Sequence, residues 1–324
     1  METDPISYAI LLYKKGYLVG SQVCVCGNKI FNIYKDSTYK ANQCSFSCNN
    51  YKCKKKFPIT INSFFQKFSY QNIRLISEIM KCFLIRDFNA AKTYKYINNE
   101  LKLFASNKLI RKVFTEMRKI ICKYLKIEYQ SNPLGDKDEE KYISVDESLI
   151  NHYKGKQVWL LGICDNMAKD FRIEASYNRD AATLKEFITS YVDKGNKIIT
   201  DGWNGYGFLD LPNSGYLRIT HIHGGGDFGY GLQSTSHIEM LWSQIKSKIK
   251  ENYHLYPYKV FMMFVREIEY KIKFRDLNDE AKINKFFEIY QTANSVEDFA
   301  LKSSNNTFLD ENLNESGAYS DESD

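Results

Sequence analysis

Three acids lie in settings where a carboxylate could do chemistry: Asp146 in "SVDES", Asp201 in "KIITDGWNGY" and Glu239 in "STSHIEMLW". Cleaving and joining phosphodiesters takes two divalent cations about 3.5–4 Å apart, one on the attacking oxygen and one on the leaving oxygen. Magnesium, or manganese in its place, prefers hard oxygen ligands and is held by a few carboxylates together with water and substrate phosphate. Three carboxylates drawn from distant parts of the chain could cage such ions, and without an ion they would repel one another. Each acid also has a plainer reading. Asp-Gly at 201–202 is a turn signal, Asp146 can be an exposed strand carboxylate, and Ser236 with Glu239 three residues on spells a capping box. His237, two residues before Glu239, is an auxiliary candidate as ligand or phosphate contact, or else an ordinary surface histidine. His221 and His223 in "RITHIHGGGDFGYG" lead into the same region, and His223 is the second auxiliary candidate.

A second metal centre is suggested by the cysteines, five of eight falling between residues 24 and 53. The segment "ISYAILLY" is too short to span a bilayer and follows Glu2 and Asp4, where a signal peptide would carry positive charge. The expectation is an intracellular protein away from membranes, where cysteines rarely pair as disulfides. A zinc ribbon needs two cysteine pairs on two tight turns, so that four thiolates converge and metal binding replaces a core the module is too small to build. Cys24 and Cys26, followed by Gly27, form one knuckle; Cys48 and Cys53 form the other, with Cys44 as a substitute ligand. The first pair is tighter and the second looser than C-x2-C, so ordinary reduced cysteines are the alternative.

The elements that must position these groups fall into two chemically different halves. Residues 1–130 carry 23 Lys/Arg against 8 Asp/Glu, a balance of +15, and the remainder sums to −9 within an overall +6. A basic half suits a polyanion such as double-stranded DNA. Within it, "SYQNIRLISEIMKCFLIRD" has helical apolar spacing, a second helix is expected over about 89–97, and a third begins near Ser106. The third buries Leu109, Val113, Met117, Ile120, Ile121 and Leu125, and its other face shows Lys108, Arg111, Lys112, Arg118 and Lys119. That arrangement is compatible with a helix-turn-helix, although a basic helix face is often simply solvated. Lys52 and Lys54, Lys55 and Lys56 are candidates for phosphate contact or nuclear import, or form a charged surface knuckle. In the acidic half, "KYISVDESL", "QVWLLGIC" and "DFRIEAS" read as strands, "DAATLKEFITSYV" as a helix and "NKIITD" as a fourth strand. This is the order in which ribonuclease-H-like domains begin, a fold that sets the middle of the first strand beside the end of the fourth and so brings Asp146 next to Asp201. The expected organisation is a zinc-ribbon-like module over 1–66, a helical DNA-binding region over 67–130, a mixed-sheet ribonuclease-H-like domain over 138–302 and a disordered acidic tail over 303–324. Residues 255–302 read as helical without an assigned role.

From about residue 20 to about residue 255 the chain resembles the DDE transposases of the Merlin type, related to the ISXO-type bacterial insertion-sequence transposases. The similarity is carried by the ribbon-like cysteines with "YKCKKKFPITINSFF", "NPLG" before "SVDES", "TDGWNGY", and "STSHIEMLWSQIKSKIK". Bacterial relatives often have Asn where this chain has Ser236, and its first cysteine pair is irregular. The resemblance implies a nuclear DNA transposase whose basic half recognises terminal inverted repeats. Its acidic half would use magnesium at Asp146, Asp201 and Glu239 to cut the ends and join them to target DNA, with at least two subunits on the DNA. Trp203 and Trp242 are expected to pack beneath the site. A domesticated DNA-binding protein with the acids retained, and a nuclease that hydrolyses without joining, are the alternatives.

Overall fold

Every helix start in the N-terminal part is written into a polar residue just before an apolar stripe. The computed structural model describes residues 4–18, 23–28, 31–135, 141–153, 156–168, 170–221, 233–252 and 258–295. His223 and the expected acidic tail lie outside the described residues. Two compact units form, one of Met1–Ile121 with Phe274–Ser295, the other containing Cys122–Lys273.

In the first unit "ISYAILLY" belongs to helix α1 (Pro5–Lys14), where Asp4 accepts from the Ser7 N–H and Pro5 opens the first turn. Strands β1 (Phe31–Lys35), β2 (Cys44–Cys48) and β3 (Lys56–Pro58) form an antiparallel sheet in that order. Asn72 caps α2 (Ile73–Leu84), and Ile73, Ile76, Ile79, Met80 and Phe83 are all buried as their spacing requires. Asn89 caps α3 (Ala90–Lys95), and the Ser106 hydroxyl accepts from the Leu109 N–H at the start of α4 (Asn107–Ser131). One register detail differs in α4: Leu109 is only partly buried and Ile110 takes the core position. The unit is completed by α8 (Asp279–Ser295). Its Phe286 packs against Phe64 of the double-Phe segment, and its Phe287 stacks on Tyr17 and Phe65.

The second unit holds a five-stranded sheet built from β4 (Tyr142–Tyr153), β5 (Lys156–Asp165), β6 (Phe171–Ser176), β7 (Lys197–Asp201) and β8 (Leu217–His221), in the order β6-β5-β4-β7-β8. The first three are antiparallel hairpin neighbours, and β7 and β8 run parallel to β4. This is the ribonuclease-H-like arrangement that the element order predicts. Strand β8 is the addition. Only His221 of its five residues is buried at the sheet edge, so it needs no apolar alternation and leaves little periodic signal in the sequence.

Alternation along the central strands feeds two cores. Ile143, Val145, Leu161, Ile163 and Ile198 face α5 (Ala181–Tyr191) and the 3-10 turn Asn204–Asp210. Leu184, Phe187 and Ile188 of α5 are completely buried there, each worth roughly 1.5–3 kcal/mol. Leu160, Cys164 and Ile173 face α6 (Ser236–Asn252) and α7 (Tyr258–Lys273), which contribute Ile238, Leu241, Trp242, Ile245, Val265 and Ile268. Helix α7 is not uniformly apolar on its buried side: Arg266 pairs with Glu269 and with Glu174 of β6, and the Tyr129 hydroxyl of α4 donates to Glu269. These charges are tolerated in the interior because each finds partners.

Candidate active site and metal centre

The parallel pairing of β4 with β7 sets Ser144 opposite Ile199. Two residues further along both strands the same register brings Asp146 level with Asp201, and the two-residue period puts both side chains on the α6 face. Asp201 is also the turn residue that its Asp-Gly sequence suggests: its Oδ1 accepts from the Trp203 N–H at 2.9 Å. The turn and the site therefore use one carboxylate together, one oxygen holding the loop while Oδ2 remains for another partner.

Helix α6 supplies the third acid, and its start is tied to the sheet by buried polar groups. The carbonyl of Ser234 accepts from the Ser144 hydroxyl and the Asn166 amide, both at 3.0 Å. Ser236 is already helical, and the carbonyl of Thr235 accepts from the N–H groups of Ile238 and Glu239. The box anticipated with Ser236 as cap is thus displaced by one residue, and Glu239 Oε1 instead accepts from the Thr235 hydroxyl at 2.8 Å. One turn on, the Trp242 Nε1 donates to Asp146 Oδ2 at 2.9 Å. Trp242 is more than the packing residue the sequence predicts, since it fixes the carboxylate of Asp146. Residues three apart share a helix face, so the same contact brings Glu239 to the site.

That approach depends on Gly162, the cross-strand partner of Asp146. A Cβ there would stand 2.5 Å from the Trp242 ring, so any larger residue would push the helix and Glu239 away. Arg218 of β8 steadies the other side, bonding the Thr200 hydroxyl and the carbonyls of Asp201 and Trp203 while pairing with Asp210. Gly162 and Arg218 escaped the sequence analysis because their partners are remote in sequence.

Burial raises the pKa of Asp146 above the ordinary carboxylate value, the Trp242 and Glu147 N–H donors oppose that rise, and the charges of Asp201 and Glu239 add to it. Asp146 therefore lies within electrostatic reach of both other acids. Neither aspartate has an ion-pair partner among the described residues. The set does not close into a cage for one ion: among the described residues, the cysteine quartet is the group whose ligand atoms all lie within 4.8 Å of one another. Glu239 is exposed at the helix start. Glu147, on the opposite face of β4, is pushed up to about 7, chiefly by burial. Its Oε1 and the Tyr206 hydroxyl are buried near one another without a hydrogen bond of good geometry.

His221 pairs with Asp201 across β7 and β8, is 9% exposed, and has both ring nitrogens buried without a hydrogen bond. His237 is half-buried with its Nδ1 unpartnered, but it sits two residues from Glu239 and so points to a different side of α6.

Residues 123–273 match the ISXO2-like transposase domain, a span that agrees to within one residue with the segment Cys122–Lys273 of the second compact unit. The chain carries an ISXO2-like DDE transposase domain. No curated protein matches the chain. Among solved structures, the HTLV-2 integrase catalytic core domain in complex with magnesium (trimeric form) is 15% identical with a TM-score of 0.26, over 48% of this chain and 85% of that one. The simian T-cell lymphotropic virus intasome in complex with the PP2A regulatory subunit B56 gamma is 13% identical with a TM-score of 0.31, over 59% of this chain and 69% of that one. The catalytic core domain of BIV integrase is 12% identical with a TM-score of 0.27, over 39% of this chain and 79% of that one. At such scores the fold of the transposase domain rests on its own strand order.

Ahead of the transposase domain, the cysteines meet as two knuckles. Cys24 Sγ lies 3.5 Å from Cys53 Sγ, and Cys26 Sγ 3.5 Å from Cys48 Sγ. Zn–S bonds of about 2.3 Å imply tetrahedral edges of about 3.8 Å, so the quartet could hold zinc. Gly27 turns the first knuckle with φ +80°, its N–H donating to the Cys24 carbonyl. The Asn28 N–H lowers the Cys26 thiol to about 7, whereas burial pushes Cys48 up to about 12. Cys44 is not a substitute ligand: it is buried outside the quartet, where desolvation raises its thiol to about 11.

The basic candidates of the N-terminal half divide into engaged and exposed residues. Lys56 pairs with buried Asp36 at 2.8 Å, Lys52 and Lys55 lie over Tyr51 and Phe57, and Lys54 is exposed. On α4, Lys108, Arg111 and Lys112 are exposed, with Lys112 bonded to the Tyr70 hydroxyl. Arg118 is half-buried over Phe83 and Phe114, and Lys119 pairs with Glu116. The expected basic stripe is therefore concentrated in the first turns of the helix.

Proposed function

We propose that this chain is a Merlin-type DNA transposase that binds transposon ends and carries out metal-dependent cleavage and strand transfer. The observation that carries the reading is the common register and face of Asp146 and Asp201, with Glu239 near enough to raise the pKa of Asp146. Three hard oxygen donors without cationic partners on either aspartate fit divalent ions. Asp146 and Asp201 would hold magnesium or manganese with Glu239 completing the set. Such ions, when bound, activate an attacking oxygen and stabilise a leaving one. In the first step water attacks phosphorus and the bond to the 3′ oxygen breaks, freeing a 3′-hydroxyl; in the second that hydroxyl attacks a target phosphorus, its proton is lost, and the target's own bond from phosphorus to 3′ oxygen breaks, leaving the element end joined and a target 3′-hydroxyl.

The basic N-terminal half, with Lys54, Lys108, Arg111 and Lys112 exposed, would engage double-stranded terminal repeats, with binding that weakens as salt rises. Two or more subunits on paired ends, zinc in the ribbon and a nuclear location complete the proposal. The test is a strand-transfer assay on DNA carrying the element's own ends with magnesium or manganese. Asp146→Asn is expected to lower cleavage by roughly a thousandfold, about 4 kcal/mol of barrier, and to abolish joined products. Cut ends without joined products would mark a nuclease, and equal activity of the variant would end the assignment of the site.

A further inference from the structure

The transposase domain contains four arginines, and three are tied into it by polar bonds. Arg172 pairs with Asp170 and bonds the Asn132 carbonyl, Arg218 pairs with Asp210, and Arg266 pairs with Glu174 and Glu269. Arg179 differs. Its guanidinium carbon lies 4.1 Å from the centroid of Trp159 and 4.5 Å from that of Trp203, and it has no hydrogen bond or ion pair with any described residue. Both indoles are half-buried, as is the arginine. Two rings lock the orientation of the guanidinium plane and leave its edge of N–H donors unused by the protein.

The position of the stack gives that edge a use. Trp203 follows Asp201 by two residues and donates its N–H to that carboxylate. Trp159 is paired with Leu149 of β4, three residues beyond Asp146. The charge of Arg179 is felt by Glu147, which is also within reach of Asp146 and Asp201. The stack therefore stands at the same end of the sheet as the acids, on its other face. A DNA strand brought to three carboxylates meets repulsion between its phosphates and the acids, so a fixed cation at the same end of the sheet has a clear electrostatic value. A guanidinium edge forks onto two phosphate oxygens, and an arginine already held in place loses little freedom in doing so. The other three arginines each spend guanidinium donors on protein acceptors, whereas the half-buried Arg179 spends none on a described residue.

We infer that the Trp159–Arg179–Trp203 stack is a phosphate-binding clamp for the DNA strand entering the active site. This rests on the DNA reading above, and the experiment separates the two. Full-length protein is titrated against a fluorescein-labelled duplex of arbitrary sequence in calcium over a range of salt, and nicking of supercoiled plasmid is followed in manganese. Arg179→Gln keeps a planar group between the indoles and removes the charge. It is expected to lower the salt slope of binding by about 0.9, the counterions of one phosphate contact, and to slow nicking at least tenfold with an unchanged melting temperature. Arg179→Lys retains charge and is expected to keep the slope while losing the fork, with nicking between the two. Should Arg179→Gln lose stability, Trp159→Phe, which keeps the arginine, supplies the second variant, with weaker nicking expected and wild-type nicking counting against the clamp. If wild type nicks, Asp146→Asn does not, and Arg179→Gln matches wild type in slope and rate, the clamp is overturned and the catalytic reading stands. If wild type does not nick beyond Asp146→Asn, the catalytic reading fails, and an unchanged slope in Arg179→Gln would overturn the clamp as well.

Discussion

At Asp146 a single indole N–H decides how a half-buried carboxylate is held. Burial and the charges of Asp201 and Glu239 raise its pKa, and the Trp242 bond pulls the other way. Trp242→Phe keeps the ring over Gly162 and removes the donor. Losing a hydrogen bond to a charged group costs about 1.5–3 kcal/mol, so cleavage is expected to fall about ten- to a hundredfold. With that bond gone, the pKa of Asp146 rises further and ionisation needs a higher pH, so the acid limb of the rate profile should move upward. Rates measured from pH 5 to 9 in manganese check this, and a profile superimposable on wild type would contradict the role given to Trp242. The three acids were legible in the sequence because each is flanked by a local pattern: alternation before Asp146, an apolar run before Asp201, a helical stripe around Glu239. Trp242, Gly162 and Arg218 were not legible in these roles, because each acts on a different element from its own, beyond the few residues over which a periodic pattern reads.

Among the elements, the small N-terminal sheet depends on one acid as much as on its apolar residues. Asp36, just past β1, accepts from the Ser45 hydroxyl of β2 at 3.0 Å, pairs with Lys56 of β3 at 2.8 Å and closes a turn on Thr38. Lys56 first, then the Thr38 and Ser45 donors, hold its carboxyl well below the usual carboxylate range. A depressed folded pKa means that the unfolded chain takes up protons first. The stabilisation is therefore complete above the unfolded value of about 3.9 and lost as pH falls through the lower folded value. Asp36→Asn should be less stable than wild type at pH 7, and the gap should close in acid. Denaturant midpoints at pH 7, 4 and 2.5 measure it, and a gap that stays constant would show that charge is not the cause. Helix α8 carries a related lesson. Its helical character was readable, but its place beside Phe64 and Tyr17, far back in the chain, was not.

For the molecule as a whole, the two candidate metal centres fall in different units and offer different ligands. If the thiolate quartet holds the proposed zinc, the ion substitutes for a core that so small a module cannot build, and its removal is expected to unfold the module locally. Treatment with a chelator should release one zinc per chain and abolish hydrogen-exchange protection over residues 24–58 while residues 142–201 stay protected. Cys48→Ser should do the same without chelator, and full protection of 24–58 in both would exclude a structural ion. By itself the sequence determined the order of strands and helices, the capped helix starts, the split between a basic and an acidic half, and the residue types able to hold metal. Those properties are local, set by hydropathy period, charge and turn chemistry within a few residues. The spacing also named the four cysteines that meet, and tertiary structure alone decided that Cys44 stands apart from them, that β8 closes the sheet edge, that Trp242 holds Asp146 and that Arg179 sits between two indoles. Each of these is a contact between distant segments, and such a contact exists only after the chain has closed the loop between them.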